Sequence, residues 1–186
     1  MATTVFWKVS YEEFQELPRD GSKRFELIEG EVFMTPSPNT KHQLAAANLH
    51  LALGNFVRDR KLGRVFFAPY DVVFNEWTAL EPDLLFIRED RFSIITDANV
   101  RGAPDLVIEI LSPSRRSYDR ETKLRIYEAG GVSELWYVDP EERTVEILNR
   151  GPEGRYELTA RLSGNDSISS QVLRELMLTL DEVFAT

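Results

Sequence analysis

The sequence predicts an α/β protein, an α+β arrangement in which a mixed sheet carries helices on its faces. Three observations lead there. A long helical stretch, "SPNTKHQLAAANLHLALGNFVRDRKLG", precedes a β-rich half. Within that half, the apolar runs "PDLVIEILSPS" and "VSELWYVDP" flank a helical segment. Strand, helix, strand in that order predicts a right-handed crossover between two parallel strands. Finally, 186 residues with 42% hydrophobic content suffice for one domain with its own core.

The elements follow in chain order. "SYEEFQELPRD" predicts a short helix with Ser10 as N-cap, Glu13 three residues on, and Pro18 as the stop. "RFELIEGEVFMTP" alternates apolar and polar residues and is broken by "EG", which predicts two short strands and a tight turn. In the long helix, Leu44, Ala47, Leu51 and Phe56 fall near one stripe, and Gly63 is the expected stop. "GRVFFAPYDVVFN" reads as two strands broken at Pro69, and "LEPDLLFIRE" as a strand entered through Pro82. These upstream strands suit an antiparallel meander. The helix after "SPS" ends at "GG", and "VSELWYVDP" ends at Asp139-Pro140. "RTVEILNR" and "GRYELTARL" form a hairpin around "GPEG", and "LRELMLTLDEVFA" is a short strand with a terminal turn.

Composition narrows the function classes. The net charge of -9 argues against a general nucleic-acid binder, whose phosphate affinity comes from lysine and arginine. Two local islands are basic, "RDRKLGR" and "SRRSYDRETKLR", and each alone reads as mixed solvated surface. With no cysteine there is no disulfide framework and no thiolate metal site, and two histidines exclude a histidine-rich one. The first residues lack the basic and apolar regions of a leader, and no run is long enough to span a membrane. The expectation is a soluble, cytoplasmic protein.

Two acids stand out. Asp105 and Glu109 interrupt an otherwise apolar strand, and strand alternation puts both on one face with Val107. Burying an unpaired carboxylate costs several kcal/mol, so a cation, a metal or a wet cleft must compensate. A second Pro-Asp occurs in "EPDLLFI", where Asp83 begins a strand after Glu81. If the two strands are neighbours, Asp83 and Glu109 converge and offer the oxygen donors that suit Mg²⁺. Taken alone, Asp83 is more simply a strand-entry residue, and Asp105 is equally a turn residue. Glu109 resists that reading because it sits mid-strand.

Chain length places a lysine near it. About 10 Å of strand beyond Glu109 is matched by about 10 Å of helix back to Lys123. Lys123 therefore returns to the level of Glu109, or else pairs with Asp119 on an exposed helix face.

"RFELIEGEVFMTPSPNTKHQ", "EPDLLFI", the block from "PDLVIEILSPS" through "GVSELWYVDP", and the closing "LMLTLDEVF" together resemble the Uma family of putative restriction endonucleases. The likeness runs from about Tyr11 to Phe184. It implies a restriction-endonuclease-like core of the PD-(D/E)XK type, ordered helix-β-β-β-helix-β, with an extra N-terminal and an extra C-terminal hairpin. The expected layout is one domain over 1–186: helix and hairpin in 1–38, core in 39–140, hairpin and tail in 141–186.

By position, Asp83 matches the family's first metal-binding aspartate and Glu109 its second acid. The usual lysine two residues on is replaced by Leu111, and Lys123 on the next helix matches instead. The resemblance implies phosphodiester hydrolysis of nucleic acid, DNA foremost, with Mg²⁺ (or Mn²⁺) on Asp83, Glu109 and a carbonyl near Ile110. Lys123 completes the catalytic set. His42 and Gln43 match the family's "HQ", and either assist the site, bind phosphate at the helix start, or cap the helix. His50 reads as structural. Asp105, Arg115, Arg116, Arg120 and Arg125 are further candidates, the arginines for phosphate. Duplex cleavage needs two cuts, so a homodimer is expected. The alternative is a non-catalytic module that keeps the fold for binding protein or nucleic acid.

Overall fold

The computed structural model describes residues 7–18, 24–35, 37–112 and 119–186. Helix α1 (Tyr11–Gln15) starts with a reciprocal cap: the Ser10 hydroxyl accepts from the Glu13 amide, and the Glu13 carboxylate accepts from the Ser10 amide. Strands β1 (Arg24–Ile28) and β2 (Glu31–Thr35) form a hairpin. Its two turn residues, Glu29 and Gly30, have φ of 52° and 87°. Two positive φ values in a two-residue loop match the right-handed twist of the strands.

Helix α2 (Thr40–Arg60) is capped by Asn39, whose side chain accepts from the His42 amide at 2.9 Å. It buries His42, Ala45, Leu49, Leu53 and Val57, an i, i+3, i+4 series. The stripe expected from sequence is thus rotated: Leu44 and Leu51 lie outside, 36% and 65% exposed. The helix is closed by Lys61 at φ 55°, not by Gly63. Gly63 instead opens β3, where an added Cβ would come within 2.1 Å of the Ile87 carbonyl oxygen.

The remaining strands are β3 (Gly63–Phe67), β4 (Val72–Asn75), β5 (Thr78–Leu80), β6 (Leu84–Arg88), β7 (Val100–Arg101) and β8 (Leu106–Ile110). A π-helical turn (Asp119–Lys123) then runs into α3 (Leu124–Gly130). Gly131 at φ 91° closes α3. After it come β9 (Glu134–Asp139), β10 (Thr144–Arg150), β11 (Tyr156–Leu162), β12 (Ser167–Ile168), β13 (Leu178–Thr179) and α4 (Leu180–Val183). The "SPS" turn lies partly outside the described residues. Among those residues no helix is long and apolar enough to cross a membrane.

The fold is mixed, as the sequence predicts, but it holds two main sheets rather than one. The six-stranded sheet has the order β11-β10-β9-β8-β6-β3. Its β8 and β9 are parallel, joined through α3, and β3, β6 and β8 form the antiparallel run. Strands β4 and β5 leave that meander and join the N-terminal hairpin in a five-stranded sheet, β2-β1-β5-β4-β7.

Alternation along β8 builds two cores. Leu106, Ile108 and Ile110 pack with α2 and the C-terminal tail. Val107 faces the other way, with Leu85, Val72, Val100 and Tyr127 between the sheets. Glu109 is on this second face.

Not every buried acid belongs to a site. Glu134 is fully buried, yet it accepts from Trp136 Nε1 at 2.7 Å and from the amides of Gln171 and Val172 at 2.8 and 3.1 Å. It pins the tail to β9. Glu134→Ala removes these three bonds and leaves the buried Trp136 Nε1 unpaired, and we expect a loss of about 2 kcal/mol. Urea denaturation measures the loss, and hydrogen exchange should quicken first at Gln171 and Val172.

Candidate active site

Strand pairing brings the two predicted acids together. Leu84 pairs with Ile108 and Leu85 with Val107, so the antiparallel register continues to Asp83 opposite Glu109. Residues opposed in this way point to one face. Asp83 lies at the entry to β6 and accepts from the Ile110 amide at 2.8 Å through Oδ2.

The Lys123 ammonium meets Glu109 at 3.1 and 2.9 Å and Glu26 at 2.8 Å, buried on all sides. Lys123 is thus buried rather than on an exposed helix face. Lys123 occupies the last position of the π-helical turn, one residue before α3 begins. Such turns shift the phase of the side chains that follow. Tyr127, one turn on, donates its hydroxyl to Glu109 Oε1. Burial and the charges of Glu109 and Glu26 push that phenol well above its usual range.

Three members of the cluster come from outside the predicted set. Arg24 grips Asp83 Oδ1 at 2.9 and 3.1 Å, and its Nε lies 3.5 Å from Glu81. Glu26 receives Lys123 and, at 3.4 Å, the Glu81 amide. Both Arg24 and Glu26 belong to β1, two residues apart and on one face. The signal was present in "RFELIEG", where Glu26 interrupts an apolar strand as Glu109 does.

His42, at the head of α2, places Nε2 3.2 Å from Asp83 Oδ2. Burial alone would raise the Asp83 pKa, but the hydrogen bond and charge of His42 and the charges of Arg24 and Lys123 outweigh it. The carboxyl is held at about 2, against an ordinary 3.8. Arg24 is raised in turn: burial opposes its charge, and Asp83, Glu81 and Glu109 together outweigh it.

The other candidates lie elsewhere. Asp105 is held by Arg88 and Arg91 at 3.1 and 3.0 Å, and by the Arg88 amide. Arg120 pairs with Glu146 and sits over the Tyr137 ring. Arg125 reaches the Glu121 carbonyl. Gln43 is exposed beside His42. Arg115 and Arg116 lie outside the described residues.

A cleft of about 660 Å³ opens beside Asp83, His42 and Glu81. It runs between the start of α2, the end of β3 and β1.

The family described as Uma2, putative restriction endonuclease, matches residues 11–181. The chain belongs to the Uma2 family. A solved structure, that of a putative nuclease belonging to DUF820 from Anabaena variabilis, is similar with a TM-score of 0.77 and 22% identity. The match covers 95% of this chain and 98% of that one. That likeness supports a restriction-endonuclease-like fold for this Uma2 chain. No curated protein matches.

Two outcomes follow from the geometry. The depressed Asp83 pKa makes its carboxylate stabilising above about pH 4, the unfolded value. That contribution is lost as the pH falls through about 2. The stability gap between the wild type and Asp83→Asn, on the order of 2 kcal/mol at pH 6, should therefore shrink below about pH 4 and be mostly closed at pH 2 in urea titrations. Lys123→Met leaves Glu26 and Glu109 facing each other and should cost about 3–5 kcal/mol. The double variant Lys123→Met/Glu109→Gln should recover part of it.

Proposed function

We propose that this chain is a nuclease that hydrolyses phosphodiester bonds of nucleic acid, DNA foremost, with Mg²⁺ or Mn²⁺ held by Asp83 and Glu109. The observation that carries this reading is the opposition of those two acids across β6 and β8, with Lys123 folded back onto Glu109.

The donor set fits a hard divalent cation. Glu26, Glu81, Asp83 and Glu109 supply only oxygen, the ligand type such ions take. Formally, four negative charges face Arg24, Lys123 and, when it is protonated, His42. Glu26 Oε2 is buried without a hydrogen-bond partner among the described residues. No three acidic or histidine side chains among those residues already converge on a cation position. Lys123 lies between Glu26 and Glu109, and Arg24 between Glu81 and Asp83.

A bound divalent cation supplies an activated water and offsets charge on the phosphoryl oxygens. The chain's own groups do the rest. Asp83, kept ionised by Arg24 and His42, is ready as an anionic ligand. Lys123 holds Glu109 in position, and its ammonium stabilises the charge that grows on the phosphoryl oxygens. The water gives up a proton to solvent as its oxygen bonds to phosphorus, the bond from phosphorus to the sugar oxygen breaks, and that oxygen takes a proton from solvent. Tyr127 stays protonated throughout and orients Glu109.

The edge strand β11, whose Leu158 is 53% exposed, suits a symmetric homodimer. The absence of cysteine suits a cytoplasmic setting. A second reading rests on the ion pairs themselves: the cluster serves as a non-catalytic scaffold, its acids matched by Lys123 and Arg24.

Two measurements separate these readings. Isothermal titration with Mn²⁺ should show binding that Asp83→Asn and Glu109→Gln abolish. Cleavage of plasmid and single-stranded DNA should fall at least 100-fold in Glu109→Gln, with the variant's fold checked by circular dichroism. A chain that binds no cation and cuts neither substrate is the scaffold.

A further inference from the structure

We propose that the cleft beside Asp83 is a nucleobase pocket, so that the substrate is presented as a single strand or as an unstacked nucleotide rather than as a closed duplex. The proposal rests on the nuclease reading for the site that the cleft adjoins.

The cleft has the right size and chemistry. At about 660 Å³ it falls in the range of small-ligand sites. Its apolar wall includes Phe25 and Phe67, with Ala46 and Ala47 from α2. Phe67 ends β3 and is 56% exposed, so its ring offers a stacking surface next to the acids. His50 meets it edge-on at a centroid distance of 4.4 Å.

Polar groups line the same space. His42 is buried, spends Nε2 on Asp83, and leaves Nδ1 without a partner among the described residues. His50 Nδ1 is likewise buried and unmatched. Gln43 adds an exposed amide that can both donate and accept. Rings for the face and a few polar atoms for the edge are what an unstacked base requires.

Charge favours the same substrate. Duplex binding draws on rows of lysine and arginine, and this chain carries a net charge of -9. Single-strand sites also follow the backbone with basic groups, but part of their affinity comes from aromatic stacking, which tolerates any base. The continuity of the cleft with Asp83 would set a base in Phe67's reach while the adjacent phosphate meets the acids.

The test is fluorescence anisotropy in EDTA, with a labelled single strand and the corresponding blunt duplex. Cleavage of both is then followed in Mn²⁺. The single strand should bind more tightly. Phe67→Ala should weaken its binding about tenfold, in line with the loss of one stacked base. Leu51→Ala, an exposed position on α2 outside the cleft, should leave it unchanged. Equal or tighter binding of the duplex, no binding of either, or no effect of Phe67→Ala overturns the base pocket. If cleavage that needs Glu109 persists in that case, the nuclease reading stands without it. Conversely, strand binding that depends on Phe67 with no cleavage keeps the pocket and removes the catalysis.

Discussion

The Lys123 ammonium, buried between Glu109 and Glu26, is the constraint on which the arrangement depends. Each partner comes from a different sheet, Glu109 from β8 in the six-stranded one and Glu26 from β1 in the five-stranded one. The lysine itself arrives on the crossover between β8 and β9. One charged group therefore couples three parts of the chain at a place where water is excluded. Buried charges are tolerated only when closely matched, so these parts cannot drift independently. The pair Arg24–Asp83 repeats the device between the same two sheets.

Acids elsewhere in the molecule have their oxygens met by nearby donors. Glu134 holds the C-terminal tail with two hydrogen bonds and Trp136 with a third, and Asp105 is held by two arginines and a main-chain amide. Asp139 accepts from the amides of Glu141 and Glu142 and closes β9. The cluster at Asp83 and Glu109 differs in composition. It gathers four carboxylates around Arg24, Lys123 and His42 and leaves Glu26 Oε2 unmatched among the described residues. An excess of buried negative charge is costly unless a positive species offsets it, which is the physical basis for linking this place to a divalent cation.

Helix α2 connects that chemistry to the surface. Its apolar stripe packs on the six-stranded sheet, and the first residue of the buried series is His42, which reaches Asp83. The neighbouring positions Gln43, Ala46 and Ala47 then line the cleft. A single helix therefore uses one face for the core and an adjacent one for access. The rotation of its stripe, with Leu44 and Leu51 left outside, follows from the same docking.

Local rules sufficed for much of this. The cap at Ser10, the tight turn at Glu29 and Gly30, the two-faced β8 and the parallel pair around a crossover are visible as residue patterns, because they depend on neighbours in sequence. The meeting of Asp83 with Glu109 followed from sequence only on the condition that their strands were neighbours, and the structure supplies that adjacency and the register. The return of Lys123 could be measured out from rises per residue. Its orientation could not, because the π-helical turn sets the phase and only packing selects it. The second sheet, and with it the roles of Arg24 and Glu26, was likewise hidden: nothing local says that β4 and β5 will leave the meander to join a distant hairpin. The sequence by itself determined which side chains were too polar for their strands. The tertiary structure decided which opposite charges would meet them, because burial removes the water that would otherwise serve each group alone.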